Sequence, residues 1–568
     1  MQKILASIPK SVCFFVFIST FAICADKPRI AVAPFGVSDP ELHPLAEAVT
    51  ANIASALTKL KIVSVVDRSA LALMFQEAGL SLSGIVDGEK VLEAGKLKGA
   101  DYLIAGKLHD ATHRVERDPQ EATGVRSGFA DLCVSWRMYR VTDGAVVYHN
   151  VDVFNGGSRS AVGTNLPDHE LIGYARNYAY ENVGSAVARA VSEAFPIQTH
   201  IAAVKKFDED GRYAETVYLP LTESDGIQDG QRLQIGIRMS PSSDDVWFFG
   251  ELKIDGFENT LAVADIKRGE KNVLIDSINS IEGTSPYVVR SGPSALRRAD
   301  VATIAVLPLS GGIRQAYKDV LFELLCSHIF QSRRFGVADR GRISELIRER
   351  NMQVSGIVGE SALQQLGAAA GVDAILAGSI ERCSVTWKNN ESRPWRKECN
   401  VSFGVSARLV DVKTGSIIWA GTMDNKAPLG TALLLGLLGG RTTDVYSNEF
   451  AAIKQESQKP FSQIVGSLIS KYPMESSNVR ITLDGNKIQY VLIPFGYADG
   501  LLPDLKNTFF LMFEREKLLG KIREIPIAEL ELAAIVDYHV SATKIDKKLI
   551  DGEIDPNKTY AVKLMKRE

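Results

Sequence analysis

The spacing of apolar residues changes period several times along the chain, and each change marks a new element. Residues 29–33 form a short apolar run that reads as a buried strand. Over residues 41–60, Leu45, Val49, Ile53, Leu57 and Leu60 recur at helical spacing. A strand is predicted over 62–66 and a second helix over about 69–78, followed by a turn at Gly79 and Ser83-Gly84. A third helix carries Val91, Leu92 and Leu97, ends near Gly99, and leads into a strand over 102–105. This alternation predicts right-handed crossovers and a largely parallel sheet covered by helices. The pattern then becomes a hairpin, with strands over 132–141 and 145–153 joined at Thr142-Asp143-Gly144. A long helix near 169–194 closes the segment, so the sheet is expected to be mixed. Residues 198–296 show only short alternating runs, such as Val217-Tyr218-Leu219, and Gly/Asp turns, which predicts a small antiparallel β domain or barrel.

The whole pattern occurs twice. Val66-Asp67-Arg68 recurs as Ala338-Asp339-Arg340, and Ser83-Gly84-Ile85-Val86 as Ser355-Gly356-Ile357-Val358. Gly99-Ala100-Asp101 with Leu103 to Gly106 recurs as Gly371-Val372-Asp373 with Ile375 to Gly378, all at an offset of 272. Ile30-Ala31-Val32-Ala33-Pro34 matches Ile304-Ala305-Val306-Leu307-Pro308 at an offset of 274. The β-rich parts follow suit: Asp225-Gly226-Ile227 parallels Asp499-Gly500-Leu501, and residues 261–265 parallel 533–537. In the second copy, Tyr317, Val320, Leu321, Leu324, Leu325 and Ile329 take the helical spacing. The hairpin there spans 401–410 and 416–420 around Lys413-Thr414-Gly415, the long helix spans 447–471, and Gln489-Tyr490-Val491-Leu492 stands in the β-rich part. A period this long is a domain duplication, not a solenoid. The fold class expected is a three-layer α/β unit with a mixed sheet, duplicated, each copy followed by a small antiparallel β domain. The boundaries are a leader over 1–25, α/β units over 26–197 and 298–473, and β-rich units over 198–297 and 474–568. At 568 residues the chain is too long for one core in any case.

The leader refines this picture. Lys3 and Lys10 precede an apolar run over 11–25 that is short for a membrane-spanning helix and suits an export signal. Cleavage is expected after Ala25, with Cys24 as the second choice; a lipid anchor on Cys24 is disfavoured because Ile23 precedes it. Loss of the two lysines takes the formal net charge from -3 to -5. That balance gives no electrostatic case for nucleic acid. Cys133, Cys326, Cys383 and Cys399 remain, without zinc-knuckle or redox spacing. Cys383 and Cys399 flank a polar stretch and could close a disulfide across two antiparallel strands, or stand as separate thiols; both readings are open.

The order of these motifs resembles the CsgG-type domain of bacterial envelope proteins: a strand ending in Pro34, a helix, Val66-Asp67-Arg68-Ser69, a helix, Ser83-Gly84, and residues 99–106. That family includes the curli secretion channel, activators of penicillin-binding proteins and the N-terminal domain of TolB-like proteins. The resemblance implies export to the periplasm or outer membrane and a non-catalytic role in assembly. Its partners would be envelope proteins of the export or peptidoglycan machinery, with homo-oligomers and a peripheral outer-membrane contact also in view. Channel members insert amphipathic hairpins into the membrane. Residues 110–126 here are instead rich in charge (His113, Arg114, Glu116, Arg117, Asp118, Glu121), against pore formation.

Candidate chemistry is sparse. Asp67-Arg68-Ser69 and Asp339-Arg340 lie where a strand meets a helix, a place for a ligand or for a helix cap and an ion pair, and the structural reading is preferred. Gly99-Ala100-Asp101 reads as a helix end and a strand start, since it lacks the spacing of a phosphate loop. His109 and His113 follow a strand, and no metal site is expected of them. No catalytic residue, cofactor site or metal site is assigned, and the chain is not expected to be an enzyme. The most unusual stretch is residues 429–440, where Leu429, Leu433, Leu434, Leu435, Leu437 and Leu438 are interspersed with glycines. It reads as an interaction loop, the alternative being a loop packed on its own domain.

Overall fold

The computed structural model describes residues 27–66, 99–117, 125–161, 166–209, 214–238, 246–268, 287–292, 301–349, 359–389, 397–425, 448–484, 487–496, 499, 501, 508–518, 521–537, 540–556 and 558–566. The leader, the second and third helices of the first copy, the Ser-Gly turns at 83–86 and 355–358, and the Gly/Leu loop lie outside the described residues.

The first unit comprises β1 (Arg29–Val32), β2 (Gly36–Val37), α1 (His43–Leu60), β3 (Ser64–Val65), β4 (Tyr102–Arg117), β5 (Arg126–Arg140), β6 (Val146–Arg159) and α2 (Asp168–Ala194). Its strand order is β3-β1-β4-β5-β6, with β2 beside β4. β1 runs parallel to β3 and β4, whereas β4, β5 and β6 are antiparallel, so the sheet is mixed. The core lies between the sheet and the two helices. Ile30, Val32, Ile104, Val134, Trp136 and Met138 face Val49, Ile53, Leu57, Val183 and Val187. α1 buries a single stripe, as its spacing predicts, and α2 approaches it closely at Gly184, where a Cβ would stand 3.0 Å from the Asn52 carbonyl oxygen.

The predicted strand over 102–105 is much longer than its apolar part. β4 continues to Arg117 because its polar residues find partners across the ladder. Arg114 pairs with Asp131 at 3.0 Å and lies 4.6 Å from the Phe129 ring centroid. An ionic ladder replaces apolar burial there, and alternation alone does not reveal it.

The first seven-stranded sheet follows: β7 (Gln198–His200), β8 (Ala203–Phe207), β9 (Ala214–Leu219), β10 (Arg232–Arg238), β11 (Val246–Glu258), β12 (Leu261–Arg268) and β13 (Tyr287–Arg290). The order is β7-β13-β10-β11-β12-β9-β8, and every pairing is antiparallel. Val217, Leu219, Leu233, Ile235, Leu252, Ile254 and Val289 form its core.

The second mixed unit contains β14 (Thr303–Val306), α3 (Gln315–Gln331), β15 (Gly336–Val337), α4 (Arg340–Glu349), α5 (Glu360–Ala370), β16 (Ala374–Asn389), β17 (Lys397–Asp411), β18 (Ile417–Asp424) and α6 (Glu449–Lys471). Its order, β15-β14-β16-β17-β18, repeats that of the first unit. The last sheet has β19 (Glu475–Ser476), β20 (Arg480–Asp484), β21 (Lys487–Ile493), β22 (Thr508–Leu518), β23 (Lys521–Asp537), β24 (Val540–Lys548) and β25 (Ala561–Lys566). Its order, β19-β25-β22-β23-β24-β21-β20, repeats that of the first seven-stranded sheet strand for strand.

Small details recur as well. α1 is followed by Lys61 at φ 60° and α3 by Arg333 at φ 57°, two left-handed non-glycine residues 272 positions apart. The Asp225-Gly226 turn sits against the end of α1, where a Cβ on Gly226 would stand 2.5 Å from the Leu60 carbonyl oxygen. Each Gly-x-Asp turn opens a strand, and Gly371 also closes α5. Asp101 accepts the Arg29 N–H at 2.8 Å, and Asp373 accepts the Thr303 N–H at 2.7 Å.

Candidate functional site

The densest polar cluster lies on a seam between the two mixed sheets, built by α3. This helix is apolar nearly all round: Tyr317, Val320, Leu321, Phe322, Leu324, Leu325, Cys326, Ile329 and Phe330 are all buried. A helix apolar on every side needs neighbours on every side. α3 packs on its own sheet through Leu325 and Ile329, and one continuous core also takes in Cys133 of β5 and Val151 of β6.

Glu323 is the acid inside this apolar helix. Its carboxylate lies 2.7 Å from Arg137 and 3.0 Å from His149 Nε2, both on the first sheet. Arg137 also stands 3.6 Å from Asp339, and the Tyr139 hydroxyl donates to Asp339 at 3.0 Å. Burial alone would lower the Arg137 pKa, but Glu323, Tyr139 and Asp339 together outweigh it, and the guanidinium is held more firmly protonated than usual. Burial, then Arg137, holds His149 below the ordinary histidine value despite Glu323. His149 is therefore neutral, and its Nε2–H donates to Glu323. Its Nδ1 is buried without a hydrogen-bond partner. Lys107 with Asp319 at 3.4 Å, Asn448 with Thr112 at 2.9 Å, and Lys454 with Asp152 extend the contact. Every carboxylate named here is engaged by a cation or a hydroxyl of the other unit, so the cluster acts as a latch.

The corresponding face of the second unit differs. In the first unit the pairs Arg137/His149, Ser135/Val151 and Cys133/Val153 lie under α3. The equivalent pairs are Arg408/Ala420, Ser406/Thr422 and Gly404/Asp424. Ala420, Thr422 and Asp424 are exposed. On α1, Glu47, Ala51 and Ser55 stand where α3 has Asp319, Glu323 and Ser327, and all three are exposed. The contact made inside the chain is thus not prepared for repetition beyond it.

The residues singled out from sequence are distributed unevenly. Asp339 belongs to the seam; Asp67, Arg68 and Ser69 lie outside the described residues. His109 is buried with its Nε2 2.8 Å from Ser135 Oγ, and His113 Nδ1 lies 3.2 Å from Arg176. Cys383 stands opposite Phe403 and Cys399 opposite Trp387, an offset of four positions. Four strand residues span about 13 Å, whereas a disulfide needs Cα atoms within about 7 Å. All four described cysteines are free, so of the two readings left open the separate thiols are what the register gives. Burial pushes both Cys383 and Cys399 up to about 11. Leu429, Leu433, Leu434, Leu435, Leu437 and Leu438 lie outside the described residues, but both ends of that loop are tied. The Asn425 amide donates to Glu456 at 2.6 Å, and Asn448 caps α6 by accepting the Phe450 N–H at 2.8 Å. Sequence reasoning missed Arg137, His149 and Glu323; the one available signal was a lone glutamate in the apolar run of 317–330. Among the described residues no group of three or more His, Cys, Asp or Glu is placed to hold a metal ion. No described helix is long and apolar enough to cross a membrane.

Fold and seam together define a class: a mixed α/β protein of repeated sheet-rich units whose two mixed units are joined by one polar cluster. The comparisons add a relationship. Residues 45–125 match the family model of the peptidoglycan-synthase activator LpoB. That span carries most of α1, with β3 and β4. No curated protein matches the chain. Among solved structures, lipoprotein GNA1162 of Neisseria meningitidis is 15% identical, over 25% of this chain and 99% of its own, at a TM-score of 0.17. The LpoB C-terminal domain of Escherichia coli is 14% identical, over 22% of this chain and 83% of its own, at 0.16. A PelC dodecamer of Paraburkholderia phytofirmans is 13% identical, over 28% of this chain and 87% of its own, at 0.16.

Proposed function

We propose that this protein is a non-catalytic accessory factor of the bacterial cell envelope that binds and activates peptidoglycan synthases. The observation that carries the reading is the match of residues 45–125 to the family of peptidoglycan-synthase activators. The seam is consistent with it: Glu323, Asp339, Asp319 and Asp152 are each paired across the two mixed units. In this reading residues 26–197 and 298–473 are two CsgG-like units, 198–297 and 474–568 are their β-rich companions, and 1–25 is an export leader. The apolar loop over 429–438 would supply part of the docking surface, and Cys24 would carry no lipid. The charged strand ends at Arg114, Glu116 and Arg117 do not suit a lipid-facing hairpin, so the secretion-pore reading is set aside.

The test is a glycan-polymerisation assay with the bifunctional peptidoglycan synthases of the same organism. Addition of the mature chain is expected to raise the polymerisation rate and to pull down at least one synthase. No binding together with no rate change would overturn the proposal.

A further inference from the structure

Beyond the binding of a synthase, the edges of the four sheets point to a second partner. A sheet edge exposes unpaired N–H and C=O groups, and proteins usually blunt it with charge, shortness or cover. Most edges here follow that rule. β3, β15 and β19 have two residues each, and β7 has three. β8 carries Lys205 and Lys206, and β20 carries Arg480 and Asp484 at its ends. β6 is covered by neighbours: the Asn182 side chain of α2 donates to the Asn155 carbonyl, and Asp152 pairs with Lys454.

β18 breaks the rule. It ends the strand order of its sheet, has eight residues, and carries no charge or proline from Ile417 to Met423. Among the described residues no strand pairs with its outer edge. Its sequence is also complementary to itself. On the face toward α6, Trp419 and Met423 straddle Gly421, and a Cβ built on Gly421 would stand 3.0 Å from each of their side chains. Two such strands placed antiparallel about Gly421 put each Trp419 opposite the other's Met423, a favourable sulfur–aromatic pair. They also put each small, exposed Ala420 opposite the other's Thr422. Asp424 keeps Arg382, at 3.9 Å, at the end of the ladder.

We propose that β18 docks the β18 of a second copy, joining two mixed sheets through an antiparallel ladder with its two-fold axis at Gly421. Such a contact is closed and yields a dimer, not a filament. It uses a surface separate from the seam, where the polar α1 face leaves no equivalent site.

Light scattering on the full mature chain is expected to give twice the chain mass, and Ala420→Lys/Thr422→Lys is expected to give the single mass with an unchanged circular dichroism spectrum. Oxidation of Ala420→Cys/Thr422→Cys is expected to yield a covalent dimer, whereas Ala420→Cys alone, which faces Thr422, yields none above the wild-type background. A monomeric wild-type chain overturns the proposal, including one whose edge captures a different protein. So does a dimer indifferent to the lysines, or equal crosslinking by Ala420→Cys alone. None of these results bears on synthase activation, which the polymerisation assay reads separately.

Discussion

Replacing Glu323 by alanine removes the carboxylate that Arg137 and His149 share, and leaves a buried guanidinium with Asp339 at 3.6 Å. The side chains of Arg137 and Glu323 are 12% and 9% exposed, so solvent does little to screen the loss. Truncating one partner of a buried pair costs about 3–5 kcal/mol. Because Asp339 and Tyr139 stay beside Arg137, the lower end, about 3 kcal/mol, is expected here. A chain of several units does not unfold in two states, so the readout is local: the free energy of opening of α3 and β5 by hydrogen exchange. The variant Arg137→Met/Glu323→Leu, which removes both charges and keeps the volume, is expected to open less readily than either single change, with a coupling of at least about 2 kcal/mol. If Glu323→Ala lowers α3 protection by less than about 1 kcal/mol, or the two changes simply add, the seam is not held by this network.

Further outcomes follow from the same geometry. His149 titrates below its ordinary value of 6.5, so the unfolded chain takes the proton first, and the seam is expected to lose protection as the pH falls below about 6.5. His149→Gln should flatten that loss, which exchange at pH 5.5 and 7.5 would measure. Asp110 has the opposite sign: burial and then Glu449 raise it to about 6 from 3.8, so its cost is present above about pH 6 and fades toward pH 4. Asp110→Asn is expected to stabilise the chain at pH 7.5 by up to about 3 kcal/mol, from a displacement of about 6 minus 3.8. That gain should vanish near pH 4, as hydrogen exchange of β4 at the two pH values would measure. Gly156→Ala would set a methyl 1.8 Å from the Ala175 carbonyl oxygen of α2, and hydrogen exchange of α2 and β6 is expected to show a loss of about 3 kcal/mol in their free energy of opening. Intact-mass analysis of the denatured, unreduced protein should show Cys133, Cys326, Cys383 and Cys399 all alkylated; an unlabelled Cys383–Cys399 pair would contradict the strand register.

Local chemistry was legible in the sequence wherever one residue decides the geometry. The spacing of Val49, Ile53 and Leu57 predicts α1, and Gly371 ends α5 at φ 66°. The repeat motifs anticipated one strand order used twice. Contacts between units were not legible. Glu323 reads as an ordinary helix acid until Arg137 and His149, 186 and 174 positions away, come within reach. The length of β4 was missed for a similar reason, since Arg114 needs Asp131 from the next strand. The register of Cys383 and Cys399 depends on a bulge between Ile380 and Arg382 that no local pattern announces.

The central claim, an envelope protein that works by binding peptidoglycan synthases, is tested most directly by crosslinking in living cells followed by mass spectrometry of the captured chain. The account predicts crosslinks between its exposed surfaces and a peptidoglycan synthase in the envelope fraction. Recovery of the chain with cytoplasmic proteins alone, or with no synthase at all, would contradict it.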